Sequence, residues 1–230
     1  MAVAGVPLAL RILNDESLPH TCCAPGVQVC WDDRGVEPVV LIQRSVVRLH
    51  PEPDPLRLIS GSDRARWERL RRPCDRHDFL AARLLARDAV AQICGPGPAA
   101  DFVQRCDSCA GPHGRPVVTN HDVSVSWAHA HGFSAAAACR GDRLGVDIDL
   151  LDPDLLVPDV GVTGRAFVRA EALVKAGAFD LDVVLELARH GELGWPADRR
   201  DVYGLVVEDV PTGFDGVIAA VAWRRPTVGS

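Results

Sequence analysis

Two aspartates, a glutamate and a lysine have the types and spacing of a site that handles phosphate with a metal. Asp147 and Asp149 lie two positions apart in an alternating segment, which places both side chains on one face of a predicted strand. Glu171 and Lys175 are four positions apart, one turn of a predicted helix. Three carboxylates suit Mg²⁺, which completes its shell with water and phosphate oxygens, and a nearby lysine can stabilise charge in phosphoryl transfer. A solvated strand face with an unrelated surface ion pair would show the same spacing.

Other residues upstream of this group could bind an anion. His129 follows a predicted strand, where it could hold a phosphate or be an ordinary polar group. Arg115 lies in a Gly-Arg-Pro segment, which is also a common turn. The helical region 63–93 could clamp a multiply phosphorylated ligand or present a solvated face. Its arginines are Arg64, Arg66, Arg69, Arg71, Arg72, Arg76, Arg83 and Arg87.

A Cys-x-x-Cys pair offers a second, separate chemistry. Cys106 and Cys109 are followed by His113, a spacing that occurs in zinc sites. The pattern lacks a second clean pair of ligands, and the residues considered for completing it are Cys94, His121 and Cys74. The alternative is a pair of buried or surface thiols in a loop.

The composition limits the classes of function. The chain has 230 residues, of which 47% are hydrophobic, and a formal net charge of −6. It is long enough to bury a sizeable core, and its acidic balance argues against a nucleic-acid partner. Of its 25 basic residues only Lys175 is a lysine, which favours a role that needs a compact ammonium group. No stretch predicts a signal peptide or a membrane span, so a cytoplasmic location is expected.

The elements that must position these residues predict an α+β fold. Strands are expected at 27–31 and 36–42, joined by a turn at 32–35, then two helices within 63–93 with Asp75 capping the second. A three-stranded meander is predicted over 123–150, a loop over 151–163, a helix over 165–176, and strands at 202–209 and 216–223. The order indicates a pseudo-twofold pair of similar halves, 1–118 and 119–230, each a small antiparallel sheet packed on a long helix.

The motifs, taken in order, resemble the 4'-phosphopantetheinyl transferase superfamily. The closer likeness is to its two-half members from siderophore and secondary-metabolite pathways, and it runs from about residue 64 to residue 223. Each motif is modest, and their joint order is the more specific signal. The segments that carry it are RHDFLAAR (76–83), PHGRP (112–116), WAHAHGF (127–133), GVDID (145–149) and FVRAEALVK (167–175).

This resemblance implies a substrate, a cofactor and partners. The 4'-phosphopantetheine arm of coenzyme A would pass to a serine of an apo acyl or peptidyl carrier protein, with release of adenosine 3',5'-bisphosphate. Asp147, Asp149 and Glu171 would hold Mg²⁺, and Glu171 would also help to deprotonate the serine. Lys175 would stabilise charge on the phosphates. The expected coenzyme A ligands are Arg76, Arg83, Arg115 and His129, and the first half, which carries the three arginines, is expected to be the phosphate clamp. A monomer acting away from membranes is expected.

Two other functions fit the same residues. Asp149 and Glu171 are 22 positions apart, and the resemblance implies a markedly longer insert there in most relatives. The shortened segment favours, as one alternative, a catalytically impaired homologue that binds coenzyme A or a carrier protein without transfer. A metal-dependent phosphohydrolase acting on a nucleotide is the other alternative.

Overall fold

The computed structural model describes residues 27–29, 37–50, 54–95, 97–106, 109–111, 113–196 and 199–225. The helices are α1 Ser45–Leu49, α2 Gly61–Arg69, α3 Pro73–Cys94, α4 Gly164–Lys175 and α5 Leu181–Arg189, with a 3₁₀ turn at Pro55–Leu58. The strands are β1 Val27–Val29, β2 Val39–Arg44, β3 Phe102–Gln104, β4 Pro116–Val118, β5 Ser124–Ala130, β6 Phe133–Cys139, β7 Leu144–Asp149, β8 Arg199–Val202, β9 Leu205–Asp209 and β10 Ile218–Trp223.

Within these residues the strands form two antiparallel sheets. The first has six strands in the order β1-β2-β6-β5-β4-β3, and the second has four in the order β7-β10-β9-β8. The fold is therefore mixed α+β, as the sequence predicts. The sheets differ in strand number, and the pseudo-twofold relation between the halves is not confirmed. The boundary near residue 118 also stays a prediction, although β5 and β6 lie in the same sheet as β2 and β4.

The molecule has four layers, because each sheet buries both of its faces. One face of the first sheet packs under α3, where Leu85, Ala89 and Val90 are buried. Its other face packs on the second sheet through a core that includes Val146 and Trp223, both 0% exposed. Helices α4 and α5 cover the outer face of the second sheet. The aliphatic residues of β7 are buried in the central core between the sheets. Because side chains alternate along a strand, Asp147 lies on the opposite face, which packs against α4.

Two strand predictions were wrong in their partners or bounds. The predicted meander over 123–150 is a β5–β6 hairpin only, because β7 pairs with β10 instead of β6. The strand predicted at 202–209 is two strands, β8 and β9, separated by a tight turn at Tyr203 and Gly204, whose φ angles are 51° and 77°. The predicted helix at 165–176 and the strand ending at Trp223 are confirmed to within two residues.

The start of α3 also differs from the prediction. Arg72 is its N-cap and Pro73 occupies the first turn, a position where proline costs no hydrogen bond. Asp75, which was expected to cap the helix, lies within the first turn, where its charge still favours the helix dipole. The turn predicted at 32–35 lies outside the described residues. No helix in the described ranges is long and apolar enough to cross a membrane.

Candidate active site at the junction of the two sheets

The crossing of α4 over β7 builds the centre of the site. A Cβ atom on Gly145 would lie 1.9 Å from the carbonyl oxygen of Ala172, so the missing side chain allows the helix to approach the strand. Gly145 and Asp147 lie on the same face of β7, next to this crossing. The last turns of α4, which carry Glu171 and Lys175, are thereby held over the strand carboxylates.

Asp147 and Lys175 form an ion pair at this crossing. Lys175 Nζ donates to Asp147 Oδ1 over 2.5 Å, and their side chains are 31% and 10% exposed. Burial raises the pKa of Asp147 to about 6, and the negative charge of Glu171 adds to this rise. The Lys175 charge and hydrogen bond lower the pKa of Asp147 and offset only part of the burial effect. Glu171 therefore lies close enough to Asp147 to act on it electrostatically.

Asp149 lies at the end of β7 with partners of its own. Its Oδ1 accepts from the backbone N–H of Leu150 over 2.7 Å and lies 3.4 Å from His131 Nε2. His131 belongs to the β5–β6 turn, so this contact links the first sheet to β7. His131 was not predicted as a site residue, although it lies two residues after His129.

The three predicted magnesium ligands fit a hard cation by chemical type and by charge. Asp147, Asp149 and Glu171 supply only oxygen donors, and three carboxylates beside the single Lys175 ammonium leave a negative site. Their oxygens do not all lie within 4.8 Å of one another; among the described residues that distance is met by a different group, Cys106, Cys109 and His113. The closest cation to Asp147 is the lysine.

His129 lies at the end of β5 in a cationic environment. Its side chain is open to solvent, yet the protein atoms around it desolvate the imidazole and lower its pKa. The charges of Arg83, Lys175 and Arg66 lower this pKa further, against the opposing effect of Asp78. His129 therefore lies within electrostatic range of three cations, which are carried by α2, α3 and α4.

Arg115 lies at the other side of Lys175. Its Nη1 donates to the carbonyl of Ala176, 3.1 Å away at the C-terminal end of α4, where a cation favours the helix dipole. Arg143 donates to the next carbonyl, that of Gly177, over 2.5 Å. The structure thus brings Arg115 and Lys175, which are 60 positions apart in sequence, to the same end of one helix.

The two arginines predicted on α3 have protein partners. Arg76 donates to the carbonyl of Leu70 over 2.8 Å and lies over the Trp67 ring. Arg83 is 2% exposed, pairs with Asp63 at 2.7 Å and donates to the Phe79 carbonyl. Burial lowers the pKa of Arg83 to about 10, which leaves it charged at neutral pH. Both side chains hold α2 against α3.

Asp78, Gln104 and Arg66 connect these groups, and of the three only Arg66 was named from the sequence, among the arginines of 63–93. Asp78, 6% exposed, accepts from the Gly132 N–H through Oδ2, while its buried Oδ1 has no hydrogen-bond partner among the described residues. Arg66 and Arg83 both donate to Gln104 Oε1, at 3.2 and 3.4 Å. Asp78 belongs to the RHDFLAAR segment, so a signal for it was present in the sequence. No motif or spacing pointed to Gln104.

The fold and site define a mixed α+β protein in which His129 of the first sheet and Asp147 of the second both lie near Lys175 of α4. No family model matches the chain. The chain is similar to a protein of Synechocystis sp. (strain ATCC 27184 / PCC 6803 / Kazusa) named "Putative 4'-phosphopantetheinyl transferase", with 28% identity over 99 residues. The similar region covers 42% of this chain and 38% of that relative's length.

Proposed function

We propose that the protein is a 4'-phosphopantetheinyl transferase that moves the phosphopantetheine arm of coenzyme A to a carrier-protein serine. The observation that carries the proposal is the group of cations around His129, namely Arg66, Arg83 and Lys175, of which Lys175 also pairs with the buried Asp147. Coenzyme A is a polyanion with a pyrophosphate and a 3'-phosphate, so it matches positive charge at one end of the site and metal-binding carboxylates at the other. The name of the Synechocystis relative supports the same class.

Each of the predicted site residues has a role in this proposal. His129 and Arg115 bind phosphate oxygens, and Arg76 and Arg83 add positive charge from α3 while holding the wall of the site. Asp147, Asp149 and Glu171 would hold Mg²⁺, which neutralises phosphate charge when bound. Glu171 accepts the serine proton, directly or through water. The serine oxygen then attacks the β-phosphate, and adenosine 3',5'-bisphosphate leaves. Lys175 stabilises charge on the transferred group.

Mass spectrometry of carrier proteins tests this function. Incubation with coenzyme A, Mg²⁺ and a panel of folded apo carrier proteins is expected to add one phosphopantetheine mass to at least one of them. Glu171→Gln is expected to reduce the rate by about a hundredfold or more, because it removes both a proton acceptor and a metal ligand. Glu186→Gln, which alters an exposed pair with Arg189 on α5, is the matched control and is expected to be fully active. No transfer to any carrier would overturn the proposal.

A catalytically impaired binding protein is the second candidate, and one observation favours it. The oxygens of the three carboxylates do not all lie within 4.8 Å of one another and Asp147 is paired with a lysine, an arrangement that does not require a metal. Calorimetry of coenzyme A binding, combined with the mass spectrometry above, separates the transferase from the binding protein. Binding of coenzyme A with no transfer to any carrier supports the binding protein. Release of phosphate or bisphosphate without a carrier would instead indicate a phosphohydrolase.

We also propose that the protein acts as a monomer, with 1–118 forming most of the phosphate clamp and 119–230 providing the metal site and catalytic helix. The presence of both segments in one chain supports a monomer, because Arg115 of the first segment contacts the end of α4 in the second.

A further inference from the structure

The loop between β3 and β4 brings two cysteines and a histidine together. One ligand atom from each of Cys106, Cys109 and His113 lies within 4.8 Å of the other two. Cys109 Sγ lies 2.9 Å from His113 Nε2. Cys109 and His113 are exposed and Cys106 is partly buried. These donors lie outside the junction site and have no role in the proposed transfer.

The backbone of this loop holds the donors in place. The Cys106 N–H donates to the Gly111 carbonyl over 3.0 Å, and the Ala110 N–H donates back to the Cys106 carbonyl over 2.8 Å. Ala110 has a φ of 55°, a left-handed conformation that is uncommon for a residue with a Cβ atom. Strain of this kind persists only where neighbouring structure fixes it, and it concentrates at binding sites.

We propose that Cys106, Cys109 and His113 bind a Zn²⁺ ion. Two thiolates and an imidazole are the soft and borderline ligands that Zn²⁺ prefers, and four-coordinate geometry leaves one position for a water molecule. Solvent can supply that water because two of the three ligands are exposed. Each thiol releases a proton to solvent when its sulfur binds the metal. The residues considered from sequence as a fourth ligand, Cys74, Cys94 and His121, do not belong to this group.

The zinc loop is joined to the junction site by two side chains. Gln104, at the end of β3, donates to the Gly114 carbonyl over 2.7 Å and accepts from Arg66 and Arg83. Arg115, at the loop's other end, bonds the end of α4. Bound zinc therefore restrains the segment that positions Gln104 and Arg115. The metal-binding inference itself does not depend on the proposed transfer activity.

Metal analysis of the full chain tests the site. Protein purified under reducing conditions, without a histidine tag, is expected to contain one zinc per chain by plasma mass spectrometry. After exchange, Co²⁺ is expected to give thiolate-to-metal charge-transfer absorption. Cys106→Ser, Cys109→Ser and His113→Asn are each expected to lose both signals. Cys74→Ser, which alters an exposed cysteine on α3, is the matched control and is expected to keep them.

A variant that keeps all three ligands gives a sharper test. A Cβ atom on Gly111 would lie 3.1 Å from His113 Cδ2 and 3.2 Å from Cys109 Sγ. Gly111→Ala is therefore expected to weaken zinc binding by about tenfold or more, whereas Gly97→Ala, with no atom within 4 Å, is expected to have no effect. Three results would each overturn the site: no zinc and no cobalt signal in the wild type, undiminished zinc in Cys109→Ser, or a Cys106–Cys109 disulfide in the reduced preparation.

Discussion

At the residue scale, an ion pair between Asp147 of β7 and Lys175 of α4 joins two elements at the centre of the site. The two-residue spacing of Asp147 and Asp149 placed both on one face of β7, away from the buried Val146. The Asp147–Lys175 pair joins residues 28 positions apart. Periodicity fixes a face within one element, but the distance between elements depends on how they pack, so this ion pair could not be predicted.

The raised pKa of Asp147 predicts a stability that depends on pH. Its value of about 6 in the folded chain lies above the ordinary value of 3.8. Between these values the folded state holds a proton that the unfolded state has lost, so the free energy of unfolding falls as pH rises from about 4 to 6, by up to roughly 3 kcal/mol. Asp147→Asn is expected to lack this component. Urea unfolding of both proteins in chelator across this range measures it, and parallel curves would contradict the prediction.

Lys175 is expected to be intolerant of arginine. Its ammonium fits within 2.5 Å of the buried Asp147 oxygen, and a planar guanidinium cannot place a point charge there and also reach a phosphate. Lys175→Arg is expected to reduce the rate of carrier modification by roughly tenfold to a hundredfold. Arg143→Lys, which alters the neighbouring cation on the Gly177 carbonyl, serves as the control. Full activity of Lys175→Arg would show that any cation suffices.

At the element scale, strands and helices were predicted more accurately than their partners. Alternation in 144–149 identified the strand and its buried face, and helical spacing identified α4 to within one residue. Neither pattern states which strand lies next in a sheet. The short turn at 140–143 favoured a hairpin, whereas the full register with β10 assigns β7 to the second sheet. Short elements such as β3, β4 and α1 carry too few residues for a periodic signal.

The β7–α4 crossing predicts a sensitive glycine. In Gly145→Ala the new methyl group would lie 1.9 Å from the Ala172 carbonyl oxygen and 2.5 Å from the Ala176 nitrogen. Both are backbone atoms, so the helix must move, at an expected cost of about 3 kcal/mol or more. Gly141→Ala meets its nearest atoms at 3.4 and 3.6 Å and is expected to change stability by less than about 1 kcal/mol. Denaturant midpoints compare the two, and equal midpoints would contradict the close crossing.

At the scale of the whole molecule, the two sheets are packed face to face, and the site draws on β5 of the first sheet, β7 of the second and α4. His129 belongs to the first sheet and Asp147 to the second, so neither sheet alone contains the site. The sequence predicted an α+β fold and a contribution from both halves. The sequence could not predict that one sheet has six strands and the other four, because the order of strands in a sheet is set by packing between distant segments.

The strand order predicts where the chain can be divided. A cut after residue 140 leaves each sheet whole, since β1 to β6 precede it and β7 to β10 follow it. A cut after residue 118 removes β5 and β6, so β2 and β4 each lose a paired neighbour and α3 loses Val125 and Ala136 from its core. Co-expressed fragments 1–140 and 141–230 are therefore expected to assemble in higher yield than fragments 1–118 and 119–230. Copurification through a tag on the second fragment, with circular dichroism of the complex, measures both pairs. Higher recovery of the pair cut at 118 would favour the division predicted from sequence, and would show that the β2–β6 and β4–β5 ladders can form after the two fragments meet.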